Sequence, residues 1–145
     1  MKRKEFVQKI CMAGIGGALG VSFLESCASL SNLYNVKDPI KEDALWVPLE
    51  AFQSKGKGLP YLVVHHDELK FPICVYNPSE QEFTALWMQC THQGAELQVF
   101  GNKLECPAHG SEFDSTGKVE NGPASQDLRT FETALSGEYL KIILR

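Results

Sequence analysis

The chain is poor in basic charge, in helical periodicity and in cysteine, and each shortage removes a class of protein. Its 14 Lys and Arg are outnumbered by 18 Asp and Glu. Residues 1–26 hold four of the basic groups and two of the acidic ones, which leaves ten against sixteen in residues 27–145. An acidic excess of that kind repels a phosphate backbone, so nucleic acid is excluded as a partner. No long stretch repeats its apolar residues at the helical period, and there is neither an internal repeat nor a low-complexity tract. Bundles and solenoids are thereby excluded. The longest uncharged apolar run, residues 10–24, falls short of a comfortable membrane span. Only five cysteines are present, too few for a disulfide framework once individual roles are assigned.

Two of those cysteines stand in matching contexts. Cys90-Thr91-His92-Gln93-Gly94 and Cys106-Pro107-Ala108-His109-Gly110-Ser111 each place an imidazole two or three residues after a thiol, with Gly and Pro beside them for tight loops. Two soft sulfur donors and two nitrogen donors make a complete ligand set for zinc or for an iron–sulfur cluster. Thirteen residues separate His92 from Cys106. They close as two short strands, 97–100 and 103–106, around a two-residue turn at Gly101-Asn102.

The two motifs resemble the cluster-binding loops of the Rieske family, and the likeness runs from about Phe83 to the C-terminus. The resemblance implies a [2Fe-2S] cluster with Cys90 and Cys106 on a buried iron and His92 and His109 on an outer one. It also implies a third loop, Gly122-Pro123-Ala124, over the cluster, and a hydroxyl at Ser111 that bonds a bridging sulfide. Zinc in a Cys2His2 site is the competing reading of the same donors. Replacing two thiolates by two neutral imidazoles makes a cluster less negative, so it accepts an electron more readily. The quinol-oxidising branch of the family carries an extra Cys in each loop, paired as a disulfide, and a Tyr near a ligand sulfur. This chain has Ala95, Ala108 and Phe113 there, so a lower potential is expected.

The N-terminus reads as an export signal. Lys2, Arg3 and Lys4 precede the apolar run, and Leu24-Glu25-Ser26-Cys27 resembles a bacterial lipobox, with Cys27 as the lipidated residue. The stretch from Arg3 to Val7 resembles a twin-arginine signal with Lys in the second position, a route that carries folded, cofactor-loaded proteins. The expected organisation is a signal peptide over 1–26, a polar linker over 27–43 and one domain over 44–145. The expected location is the bacterial cell envelope, membrane-anchored through lipid and facing the periplasm or exterior.

Within the domain, residues 45–52, 61–65, 71–76 and 83–89 are rich in aromatic and β-branched residues, and 131–135 and 139–144 form a closing pair. The fold class is all-β, and the resemblance implies an antiparallel β-sandwich or barrel with a small cluster-binding subdomain. Cys74 reads as a small buried hydrophobe. His65 and His66 alternate across a strand, one exposed and one packed. Trp46, Trp87 and Phe83 read as core, while Glu80, Glu82, Glu96 and Glu105 read as a solvated face. Glu112 and Asp114 flank Phe113, but no substrate site surrounds them. The leading function is therefore one-electron transfer between redox proteins by a membrane-tethered carrier. A Rieske subunit of a larger quinol or exported oxidase complex is the second reading, and a structural zinc domain for interaction is the third.

Overall fold

The computed structural model describes residues 32–79 and 81–145. The described chain is built almost entirely of strands: β1 Leu33–Asn35, β2 Ala44–Pro48, β3 Gln53–Ser54, β4 Lys57–Gly58, β5 Tyr61–His65, β6 Ile73–Ser79, β7 Glu82–Trp87, β8 Gln98–Phe100, β9 Lys103–Glu105, β10 Glu112–Asp114, β11 Val119–Asn121, β12 Thr130–Ser136 and β13 Tyr139–Ile143. Seven strands form a curled sheet in the order β1-β5-β6-β7-β12-β13-β2, and four short ones form a second sheet, β11-β10-β9-β8. All pairings are antiparallel except β1 with β5. The all-β class read from the sequence is the class observed.

The apolar run Ile73-Cys74-Val75-Tyr76 explains how the two sheets share one molecule. Alternate residues of a strand point to opposite faces. Ile73 and Val75 pack into a core with Leu45, Val47, Leu62, Val64, Leu140 and Ile142. Cys74 and Tyr76 pack into a second core with Leu86, Met88, Leu97, Leu104 and Phe113. A strand buried on both faces needs an unbroken apolar run. By contrast β13 alternates wholly buried Leu140 and Ile142 with more accessible Tyr139, Lys141 and Ile143, because only one face is covered.

Three expectations change. Residues 45–52 are not one strand: β2 ends at Pro48, and Leu49–Phe52 form a 3-10 turn. Its three-residue period puts Leu49 and Phe52 on one side, where both meet the first core. The expected linker over 27–43 is in part folded. β1 pairs in parallel with β5, Val36 is buried, and Asn32 donates its side-chain amide to the Tyr61 carbonyl at 3.2 Å. Residues 27–31, like the signal peptide and Cys27, lie outside the described residues. Finally, β10 and β11 have no counterpart in the sequence reading. At three residues each they are too short to show alternation, and only pairing in the second sheet makes them strands.

Candidate metal centre

The second sheet presents two loops at one end, and they follow one backbone plan. In the first, the Cys90 amide donates to the Ala95 carbonyl at 2.8 Å and Gly94 donates back to the Cys90 carbonyl at 2.9 Å. In the second, Cys106 donates to Ser111 at 2.8 Å and Gly110 to Cys106 at 2.9 Å. Gly94 and Gly110 have φ of +76° and +77°, where a side chain would be strained. The glycines that close the two loops are therefore requirements of the backbone.

This plan brings the four predicted donors together as two pairs. Cys90 and Cys106 are almost wholly buried in the second core with Phe113. Burial by itself would raise the Cys106 pKa, but the amides of His109 and Ala108 and the Cys90 thiol lower it on balance, which favours thiolate at that sulfur. His92 is half-buried and His109 exposed. Their rings meet edge to face, with centroids 4.9 Å apart and planes at 89°. His92 Nδ1 is buried and has no hydrogen-bond partner. An orphaned buried imidazole nitrogen is costly unless something coordinates it.

The donor chemistry fits a two-iron group better than a single ion. Thiols face thiols and imidazoles face imidazoles, an arrangement that gives each iron its own pair. Among the described residues, no three Cys, His, Asp or Glu side chains converge on one ion position, as tetrahedral zinc requires.

A third loop ties the two together. The Ala124 amide donates to Ser111 Oγ at 3.0 Å, both residues being buried, and the Thr91 hydroxyl donates to the Gln126 carbonyl at 2.7 Å. Accepting from Ala124 leaves the Ser111 hydroxyl proton free for another acceptor. Thr91 and Gln126 were not anticipated from sequence. A hydroxyl that meets a backbone carbonyl 35 residues away leaves no sequence pattern.

The remaining candidates fall into place around this centre. Cys74, Cys90 and Cys106 are free thiols, and alanines stand at 95 and 108. Burial pushes the Cys74 thiol up to about 12, offset in part by Tyr76, so it stays protonated as a small core residue. His66 is the packed member of its pair: Nδ1 accepts from the Glu68 amide and Nε2 faces the Asp38 carbonyl, both at 3.1 Å, while His65 is half-buried. Trp87 and Phe83 pack against the first core. Trp46 does not; it sits on the outer sheet face beneath Lys141, with Tyr139 edge-on. Glu112 is paired with Lys103 at 2.8 Å, and Asp114 accepts from Thr116 and Lys118 in the following turn. Glu82 and Glu96 are exposed and Glu105 half-buried, while Glu80 is outside the described residues. Among the described residues no helix is long and apolar enough to cross a membrane.

Comparison with known proteins identifies the family. The cytochrome b6-f complex iron-sulfur subunit of Nostoc punctiforme is 46% identical over 57 residues, 38% of this chain and 31% of the relative. Iron-sulfur subunit 2 of that complex from Nostoc sp. is 30% identical over 84 residues, 57% of this chain and 41% of the relative. The chain thus spans less than half the length of the curated relatives it matches. Among solved structures, the cyanobacterial plasma membrane Rieske protein PetC3 from Synechocystis PCC 6803 superposes with a TM-score of 0.50 at 35% identity, over 57% of this chain and 85% of that one. A carbazole 1,9a-dioxygenase oxygenase–ferredoxin complex has a TM-score of 0.53 at 23% identity, over 72% of this chain and 95% of that one, a likeness of fold. The family model for the Rieske [2Fe-2S] domain matches residues 51–132, more than half of the chain, and the protein accordingly belongs to the Rieske [2Fe-2S] domain family, whose cofactor is a [2Fe-2S] cluster.

Proposed function

We propose that this protein is a one-electron carrier in which Cys90 and Cys106 hold the buried iron of a [2Fe-2S] cluster and His92 and His109 hold the outer one. The observation that carries the reading is the paired arrangement itself: two buried thiols beneath two imidazoles, one with an orphaned Nδ1. When bound, the cluster supplies a one-electron couple. The protein's own residues tune it. Ala108 and His109 amides stabilise negative charge on the Cys106 sulfur, Ser111 has a hydroxyl proton to give, and buried Phe113 has none. One donor kept and one missing sets the potential in the lower half of the Rieske range, below about +100 mV. The exposed His109 is the natural point of electron entry and exit.

Catalysis then lies on other chains, the donor and acceptor being redox proteins or a membrane redox complex. The naming of the relatives as subunits of a membrane complex supports the second of these. Signal-like residues 1–26 and Cys27 support export and a lipid tether on the outer side of a bacterial membrane. Purified protein should contain iron and acid-labile sulfide in a ratio near one and give the paramagnetic signal of a reduced Rieske centre; a colourless protein with stoichiometric zinc would refute the assignment. Cys27→Ser should move the protein from membrane to soluble fractions. Retention in the membrane with residues 1–26 still attached would replace the lipid tether by an uncleaved anchor.

A further inference from the structure

Strand registers give the two ends of the main sheet different roles. β7 runs from Glu82 to Trp87 and continues through Met88, bonded to Pro72, and Gln89, bridged to Glu96, so the loop at Cys90 stands at its far end. Several elements share the near end. Tyr61 pairs with Tyr76, Tyr76 with Thr84 and Ser79 with Glu82. β12 runs antiparallel to β7, with Phe131 opposite Ala85 and the Thr133 hydroxyl donating to the Phe83 carbonyl at 3.1 Å, so the turn that joins β12 to β13 also falls there. The Gly101-Asn102 turn of the second sheet does too, because it borders one cavity with Pro60, Tyr61 and Pro78.

This rim gathers the apolar surface and the chain entry. Among the described residues, the exposed large hydrophobics are Leu33 at 40%, Phe100 at 53%, Leu135 at 49% and Tyr139 at 45%. Leu33 opens β1, Phe100 precedes the Gly101-Asn102 turn, and Leu135 and Tyr139 flank the β12–β13 turn. All four lie at the end away from the metal centre. β1 is parallel to β5, so the chain arrives from the Tyr61 side, where the Asn32 amide group bonds the Tyr61 carbonyl and the Asn32 carbonyl accepts from the Val63 amide at 2.7 Å.

We propose that this rim is the membrane-contacting surface of the protein, so that the metal centre faces away from the bilayer and exchanges its electron in the aqueous phase with a protein-borne centre, not with a quinol dissolved in lipid. The inference rests on the N-terminal tether proposed above. Cys27 stands five residues before Asn32, a reach of at most about 18 Å. Asn32 is level with Leu62, which is in register with Val75 and, through it, with Ala85; Cys90 lies five residues beyond Ala85, about 16 Å along the strand. A domain turned over to bring the cluster to the bilayer would stretch the tether almost straight. Aromatic and aliphatic side chains at the rim are suited to the headgroup boundary. Lys55 and Lys57 of the β3–β4 hairpin are offset by Glu50, Glu82 and Glu138 on the same rim, so the lipid surface it fits is zwitterionic, not anionic.

The test uses full-length, cluster-loaded protein on phosphatidylcholine vesicles, with a dysprosium chelate carried either on a lipid headgroup or free in water. Dysprosium speeds the relaxation of a nearby paramagnet, so power saturation of the reduced cluster's EPR signal reports which chelate reaches it. The free chelate should raise the half-saturation power, and the lipid-borne chelate should leave it at the value of chelate-free vesicles. A second readout does not depend on the cluster. Phe100→Trp should add fluorescence that brominated phosphatidylcholine quenches, whereas Gln126→Trp, exposed at the metal-centre end, should add fluorescence that it does not quench. Equal relaxation by the two chelates, an unquenched Trp at 100, or equal quenching at 100 and 126 would overturn the proposal while leaving the tether standing. Wild-type protein that fails to sediment with the vesicles would overturn the tether and the proposal together.

Discussion

The loops that carry Cys90 and Cys106 share a backbone and differ in where they put their histidine. Both close the same pair of hydrogen bonds and both turn on a glycine at nearly the same positive φ. One places its imidazole two residues after the cysteine and the other three. The offset leaves His92 half-buried with an orphaned Nδ1 and His109 in solvent, with the rings edge to face. A repeated frame thus produces two inequivalent imidazoles, one protected and one presented. Electron transfer needs both qualities, a retained metal and an accessible edge.

The largest effects should come from breaking the set the two loops hold in common. Cys90→Ala, His92→Ala, Cys106→Ala and His109→Ala should each abolish the cluster, measured by iron, sulfide and visible absorbance. The cysteine changes should also lower thermal stability, because they hollow the second core and because metal binding is coupled to folding in small sites. A His109 variant that retained a normal centre would show that the exposed imidazole is not a ligand and would break the pairing.

Ser111 tests the clasp between the second and third loops. Ser111→Ala leaves the buried Ala124 amide without its acceptor, at a cost of about 1–3 kcal/mol. It also removes a hydroxyl proton available to the cluster, so the potential should fall. Denaturant titration and film voltammetry measure the two consequences separately, and an unchanged potential would confine Ser111 to holding Ala124.

The two loop glycines sharpen the comparison at the next level. Alanine at either is strained by about 1–2 kcal/mol. At Gly94 the added methyl would also come within 3.1 Å of Gln89 Nε2, whereas at Gly110 it meets open space. Gln89 is not free to yield, since its Oε1 accepts from Trp87 Nε1 at 3.0 Å. Gly94→Ala should therefore destabilise more than Gly110→Ala in paired unfolding curves. Equal losses would mean that Gln89 moves aside at no cost.

The smallest effect concerns the turn after β10. Burial alone would raise the Asp114 carboxyl, but the hydroxyl and amide of Thr116 and the amide of Lys118 hold it below the usual range. A depressed carboxylate contributes stability above its unfolded pKa, and that contribution is lost as the pH falls through the folded value. Asp114→Asn should lower the denaturant midpoint slightly near neutrality and leave it closer to the wild type in acid below the ordinary carboxylate range. A difference that grew with acid would contradict the sign.

Much of the fold was legible because its signals are local. Residues 61–65 were read with the bounds that the structure gives β5, and the Gly101-Asn102 turn closes β8 on β9 as the hairpin reading required. The misreadings have the opposite character. Three-residue strands such as β1 and β11 have no periodicity to read and exist only because a neighbour offers a ladder. Residues 49–52 are apolar enough for a strand, yet they coil because Phe52 finds Phe83, 5.1 Å away and edge to face.

The sequence by itself determined the candidate donors, the turns that need glycine and the all-β class, since each depends on residue type within a few neighbours. Tertiary structure alone decided that Cys90 and Cys106 share one buried core, that His92 and His109 touch, and that Ala124 and Gln126 tie a third loop across both. The physical reason is range. A positive φ or a ligand order is set by adjacent atoms, whereas burial and convergence depend on residues 13 and 35 positions apart meeting when the sheets close.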